Sequence, residues 1–470
     1  MKKTADPTQI AFGDWQTPAA LAEQIVLLLR KQKISPRTIV EPTCGKGAFI
    51  QASVKAWKNV CRFGFDVNST YVKIAQTQLG DKATIKQQNF FAINWDAFFA
   101  KHQPPFLVLG NPPWVTSAEL SVVNATTLPP KFNRKKPGYE AITGKANFDV
   151  SEAIMIKLLN KLTHKDFHLA FLCKTTVARK VIEHISANSW KMTGKLHQID
   201  AKKHFSAMVD AVLFSVQPTT EKPLWPYYKD LEAVRPAQFI EYHNGQITAD
   251  PIAYKNTERF MGKSLHQWRS GIKHDCARVM EFQQTNEGLQ NRFGCIDLET
   301  NFIYPLLKGS DVANRRWPPS KMLLVPQQFV GESTAKIAEE APKTWKYLNQ
   351  HKTALENRKS RIYENKPMFS IFGVGPYAFA PWKVAIAGLY KKLSFWVVGP
   401  YQGKPVVFDD TTYFLSFQTK KQAEKAYRAL TSETATRFFN ARIFWPAKRP
   451  ITKQILQALV LQRLYVEEKN

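Results

Sequence analysis

The chain has 470 residues, 44% hydrophobic and 12% aromatic, which suits two or three domains and a globular rather than a disordered chain. Its formal net charge is +28, shared as 29 Lys+Arg against 15 Asp+Glu in residues 1–220 and 37 against 23 in residues 221–470. That distribution excludes a neutral enzyme with a basic tail and points to a polyanion, most simply nucleic acid, although a solvated basic surface gives the same count.

No apolar run follows the N-terminal MKKTADPTQI, and Ile25–Leu29 is too short to span a bilayer. We therefore expect no signal peptide, no membrane partner and a cytoplasmic protein. Thr17-Pro18 before AALAEQIVLLLRK predicts a helix with Thr17 at its N-cap and Pro18 in its first turn. TIVEPTCGKGAFI predicts a strand that closes on Glu41 and Pro42, then turns through Gly45-x-Gly47 into a helix near Ala48. Such a turn lets a ligand approach the backbone, yet a lone G-x-G is more often plain turn chemistry. VCRFGFDV is a second strand, ending in Asp66, which suits a ribose diol or caps the helix STYVKIAQTQL. ATIKQQNFF is a third, ending in Asn89 and Phe90, a polar group and a ring that match the edge and face of a purine. PFLVLGNPPW is a fourth. It stops at Gly110 on Asn111-Pro112-Pro113-Trp114, because two prolines cannot continue a central strand.

Taken on successive strands of one sheet, these residues describe an adenosine pocket at the carboxyl edge, where doubly wound sheets bind ligands. The corner beside it offers the Asn111 amide carbonyl and the Pro112 carbonyl as acceptors for an exocyclic amine, and Trp114 as a face for a planar base. Two acceptors on one NH₂ draw its lone pair out of conjugation, an electrostatic activation that needs no general base. The stretch LPPKFNRKKPGYEAITGK that follows is long for a loop in a compact domain. With Lys131, Arg134, Lys135 and Lys136 it reads either as a flap over DNA phosphates or as a solvated charge run. FDVSEAIMIKLLNKL and ARKVIEHISANSW predict helices, HLAFLCKTTV and AVLFSV strands, and the His164–His168 pair is read as surface. The alternation predicts an α/β fold with a doubly wound, mostly parallel, Rossmann-like sheet.

PTTEKPLWPYY reads as a Pro-rich linker, so domains are expected over residues 1–217 and 218–470. The second is read as mixed α+β, with strands in KMLLVPQQFV, FSIFGVGPYAF, WKVAIAG, LSFWVVG and KPVVFDDTTYFLSF. Its helices are placed in TWKYLNQHKTALENRKSRI and KQAEKAYRALTSETATRFFN. His274-Asp275 is taken as a phosphate-positioning or structural turn. Arg315, Arg316, Gln327, Gln328, Arg358, Lys359 and Arg361 are of the types that read guanine and adenine in a major groove. The five cysteines form no C-x-x-C pair, so no disulfide framework and no zinc site are expected.

In order, FGDWQTPAALAEQIV, IVEPTCGKGAFI, FGFDV, QQNFF, LGNPPW, GKANFDVSEAIMIKLL and HFSAMVDAVLFSV resemble the gamma-class N6-adenine DNA methyltransferases over about residues 10–217. The resemblance implies a catalytic domain followed by a target recognition domain, and a modification enzyme of a restriction–modification system. It implies S-adenosylmethionine held by Thr17, Glu41, Thr43, Gly45, Gly47, Asp66, Asn89 and Phe90. Asn111, Pro112, Pro113 and Trp114 would carry the methyl transfer to a flipped-out adenine, with Phe205 near that base and no metal. Duplex DNA is the implied partner of a monomer associated with the nucleoid, and a cognate endonuclease would act separately. Two departures are Trp114 where Tyr is commonest and Asn89 where the family often has an acid. N4-cytosine, RNA and protein glutamine remain as alternative targets.

Overall fold

The protein is described from a computed structural model, which covers residues 15–115, 149–207, 209–243, 246–445, 447 and 449–467. The basic stretch with Lys131, Arg134, Lys135 and Lys136 lies outside these residues. The chain divides into two units, Met1–Pro251 and Ile252–Asn470.

The first unit opens with α1 (Ala19–Lys31), β1 (Thr38–Glu41), α2 (Ala48–Ala56), β2 (Cys61–Asp66), α3 (Ser69–Leu79), β3 (Thr84–Gln87), α4 (Trp95–Lys101) and β4 (Phe106–Gly110). It continues with α5 (Val150–Leu162), β5 (Phe167–Lys174), α6 (Thr175–Ala187), β6 (Met192–Ile199), α7 (Ala201–Phe205) and β7 (Ala211–Pro218). Three further strands are β8 (Trp225–Tyr228), β9 (Gln238–His243) and β10 (Gln246–Thr248). All ten strands form one sheet in the order β10-β9-β8-β6-β7-β5-β4-β1-β2-β3. Strands β1 to β5 pair in parallel, and β7 lies antiparallel between β5 and β6.

Every residue of β1 and β4 is buried, as expected of parallel strands covered on both faces. Helix α1 turns Leu21, Ala22, Ile25, Val26 and Leu29 inward, a single stripe at helical spacing. The strand order reverses between β1 and β4, and that reversal opens the crevice at their carboxyl ends. This fold is the α/β architecture expected. Its extent differs: the segment read as a linker carries β8, with Trp225 and Tyr227 buried, so the first unit runs to Pro251 rather than to residue 217. Trp225 and Tyr227 alternate inward along β8, and its pairing with β6 is parallel.

The second unit contains a four-stranded and a six-stranded sheet. Its strands are β11 (Arg269–Ser270), β12 (Glu281–Thr285), β13 (Gly288–Asn291), β14 (Gly294–Ile296), β15 (Ile303–Leu307) and β16 (Lys321–Leu324). β17 (Trp382–Ala387), β18 (Trp396–Val398), β19 (Val407–Phe408) and β20 (Thr412–Phe417) complete them. The orders are β11-β20-β17-β18 and β14-β13-β12-β16-β15-β19. FSIFGVGPYAF forms no strand; it holds an isolated bridge at Phe372 and a 3-10 turn at Pro376–Phe379 instead.

Candidate active site

Four chain segments meet at the carboxyl ends of β1, β2, β3 and β4. Glu41 ends β1, fully buried, and its Oε2 accepts from the Ile50 N–H at 3.3 Å. Burial holds its carboxyl well above the ordinary carboxylate range; the Ile50 bond opposes this and the Asp66 charge adds to it. The Thr43 hydroxyl is buried and has no hydrogen-bond partner among the described residues. Gly45 and Gly47 have φ of +50° and +82°. That left-handed backbone favours glycine, and the Gln16 side chain lies against the turn, its Oε1 2.5 Å from where a Gly45 Cβ would stand.

Asp66 ends β2. Its Oδ2 accepts from the Gly45 N–H and its Oδ1 from the Asn68 N–H, both at 2.8 Å, so the acid ties the glycine turn to the start of α3. The cap of α3 is Asn68, whose Oδ1 accepts from Thr70 and Tyr71; Asp66 is not the cap. Asn89, after β3, accepts the Phe91 N–H at 2.9 Å on its Oδ1. Phe90 is buried against Trp95, with ring centroids 5.3 Å apart, and Lys157 Nζ stands 5.7 Å over its ring. Lys157 donates to the Phe91 carbonyl at 3.0 Å, and burial lowers its pKa, with the Lys161 charge adding to that. Thr17 does not cap α1: the N-cap is Pro18, with no side-chain bond, which leaves the Thr17 hydroxyl out of helix capping.

Asn111 follows β4. Its Nδ2 donates to the Trp15 carbonyl at 2.6 Å, and that bond turns its Oδ1 the other way, buried and without a partner among the described residues. Pro112 is buried and Pro113 half-buried. Trp114 is 5% exposed. Its Nε1 donates to the Leu172 carbonyl at 3.3 Å, and its ring meets Phe205 edge-on at 5.2 Å. The structure places Phe205 against the Asn-Pro-Pro-Trp corner, and it packs the indole into the core instead of offering an open face. Glu41 and the corner are neighbours, since a Cβ on Gly110 would stand 3.6 Å from Glu41 Cγ.

The sequence reading missed Trp15 and Gln16, which orient Asn111 and line the glycine turn; their place directly before the Thr-Pro pair was the available signal. It also missed Lys157 and the Asp149–Lys174 ion pair at 2.8 Å, which links the start of α5 to the end of β5. His168 is buried, not surface, with Nδ1 3.1 Å from Gln217 Oε1. Among the described residues no His, Cys, Asp and Glu cluster could hold a metal, and no helix is long and apolar enough to cross a membrane.

In the second unit, the His274-Asp275 turn is structural. His274 Nδ1 accepts from the Cys276 N–H at 3.2 Å and its Nε2 lies 3.4 Å from Glu281. Two residues taken as base readers are not available for it. Gln327 is buried and bonded to Ile371, and Arg358 donates to the carbonyls of His274 and Ser370. Arg315 donates to the Phe395 carbonyl at 3.1 Å.

A doubly wound sheet with an antiparallel β7 and a strand-order reversal between β1 and β4 is a Rossmann-like α/β fold. No family model matches the sequence. It is 40% identical over 476 residues to the type II methyltransferase M.NspV of Nostoc sp., covering 99% of both chains. The chain therefore belongs to the type II methyltransferases, the DNA methyltransferases of restriction–modification systems. Among solved structures it is similar to the type IIL restriction-modification enzyme MmeI in complex with DNA. The TM-score is 0.59 at 15% identity, over 96% of this chain and 66% of that one, so the likeness concerns the fold.

Proposed function

We propose that the chain methylates N6 of an adenine turned out of duplex DNA, with S-adenosylmethionine as the donor. One observation carries the reading: Asn111 holds a buried amide oxygen, aimed by Trp15 and without a partner, at the carboxyl end of β4. Leaving a buried acceptor unpaired costs on the order of 1–3 kcal/mol, which an incoming N–H donor returns. An exocyclic amine with one hydrogen on Asn111 Oδ1 and the other on the Pro112 carbonyl has its lone pair drawn out of the ring. Acceptors fixed in advance stabilise the charge that develops on the amine without reorganising.

The residues around the crevice fit an adenosyl donor. Among the described residues the buried Thr43 hydroxyl has no partner, and the Gly45–Gly47 turn runs at positive φ with no side chain of its own. The Asp66 carboxylate, tied to Gly45 and Asn68, is an acceptor of the kind that suits ribose hydroxyls. Since Asn89 Oδ1 already accepts from Phe91, we assign its amino group, rather than its oxygen, to the adenine edge of the donor. When bound, S-adenosylmethionine supplies an electrophilic methyl group. Phe205 and Trp114 form the apolar wall beside the target, and a base reaches the indole only by displacing what covers it. Extruding the base costs a few kcal/mol.

Labelled methyl transfer to duplex DNA, followed by identification of the modified base, tests the reading. N6-methyladenine is expected; N4-methylcytosine would reassign the base, and no label in DNA would overturn the activity. Asn111→Ala should cost about 10²–10³ in rate while calorimetry shows unchanged S-adenosylmethionine affinity. Equal loss of both would place Asn111 in the donor pocket.

A further inference from the structure

Strands β12 and β13 form an antiparallel hairpin in which Gln283 faces Gln290 and Gln284 faces Leu289. Side chains alternate across a strand, so the two pairs lie on opposite faces of the ribbon. The Gln283–Gln290 face borders a cleft of about 500 Å³ that also takes in Arg278, Arg292 and Lys321. The opposite face borders another, of about 580 Å³, lined by Glu287 and Asp297 with Lys404. The two faces therefore differ in sign.

The first face carries one carboxylate, Glu281, and it is fully engaged. Lys308 and Lys321 lie 2.7 Å and 2.8 Å from its oxygens, and these contacts with His274 hold its pKa well below the ordinary range despite burial. Gln283, Gln290, Arg278 and Arg292 are exposed, with no ion pair or side-chain hydrogen bond among the described residues. Arg292 stands over the Phe293 ring, which stacks on His351 at 4.3 Å, so the base of this arginine is held in place. A B-form major groove admits a two-stranded ribbon, glutamine pairs bidentately with adenine, and arginine with guanine.

We infer that the Gln283–Gln290 face of this hairpin reads the target sequence, with the glutamines on base edges and Arg278 and Arg292 on guanine or phosphate. The inference rests on the DNA-methylating reading above and deepens it by naming specificity-determining residues.

The target is first read from the modified positions in DNA of cells expressing the full chain. Methylation rates of Gln283→Ala and Gln290→Ala are then measured on that duplex and on duplexes changed one base pair at a time. Each variant should lose roughly 10- to 100-fold of its discrimination at one base pair and keep it elsewhere. Gln284→Ala, on the other face, should discriminate as the parent does. If either alanine variant unfolds in a thermal scan, Gln→Asn at that position gives the same readout with the amide retained but withdrawn. Undiminished discrimination at every base pair, or an equal loss on all duplexes, overturns the assignment to base reading. Absence of methylation by the unsubstituted chain would instead defeat the underlying activity, which separates the two failures.

Discussion

Thr43 Oγ1 and Asn111 Oδ1 are both buried and unpaired at the sheet edge, and each costs the ligand-free fold on the order of 1–3 kcal/mol. Thr43→Val keeps the shape and removes the orphan hydroxyl, so its two effects should have opposite signs. The melting temperature of the ligand-free protein should rise, while S-adenosylmethionine affinity falls about 10-fold, the equivalent of one hydrogen bond. Calorimetry showing unchanged affinity would return Thr43 to a purely structural place. The positions of these two oxygens were legible because they follow strand ends, and a strand end in a doubly wound sheet is a ligand edge. Their freedom was not legible, since it depends on where Trp15 and other distant residues put their carbonyls. The same limit explains Gln327 and Arg358, residue types that read bases but whose donors and acceptors are taken by Ile371, His274 and Ser370. It also explains Trp114, where residue type suggested a platform and packing made it core.

Strands were read correctly where apolar runs ended in small or polar punctuation, as in β1, β2 and β4. β6 and β8 escaped because MTGKLHQI carries lysine and histidine and WPYY carries a proline, composition that says loop or linker. β6 buries His197 within the ten-stranded sheet, and buried histidines bring a pH liability. His168 in β5 and His197 in β6 are buried, each with one ring nitrogen lacking a partner, and burial pushes both pKa values down to about 4. In the unfolded chain they titrate near 6.5. Between these values the unfolded state binds protons that the folded state does not, so stability is fully present above pH 6.5 and is lost as pH falls toward 4. The loss amounts to roughly 3 kcal/mol for each histidine. His197 stacks on Tyr228 with ring centroids 4.6 Å apart and planes at 9°, a contact phenylalanine can keep. His197→Phe should therefore lower the slope of melting temperature against pH between 7.5 and 4.5. An unchanged slope would remove His197 from the account.

Across the whole molecule, the boundary at Pro251 redistributes the charge without separating it. Residues 1–251 carry 32 Lys+Arg against 20 Asp+Glu, and residues 252–470 carry 34 against 18, so both units are basic by a wide margin. Fold cannot account for this, because net charge self-repels in the compact state and contributes nothing to packing. Surface ion pairs such as Lys161–Asp96 and Arg437–Glu433 use only part of the excess. A DNA partner accounts for it through phosphate neutralisation, which releases condensed counterions. Binding to duplex should then weaken linearly in log–log terms with added salt, with slope near −0.9 for each phosphate contacted. Contacts to about six to ten phosphates would cost 10³–10⁵ in affinity between 50 and 200 mM salt. The same titration on a duplex lacking the target should show much the same slope with a weaker intercept, because phosphates supply the salt dependence and base edges the specificity. Arg278→Ala and Arg292→Ala would each reduce the slope by about 1 if they meet phosphate, and leave it nearly unchanged if they meet guanine. A flat salt response on both duplexes would leave the +28 charge without a function and would argue against a duplex as the partner of these two basic units.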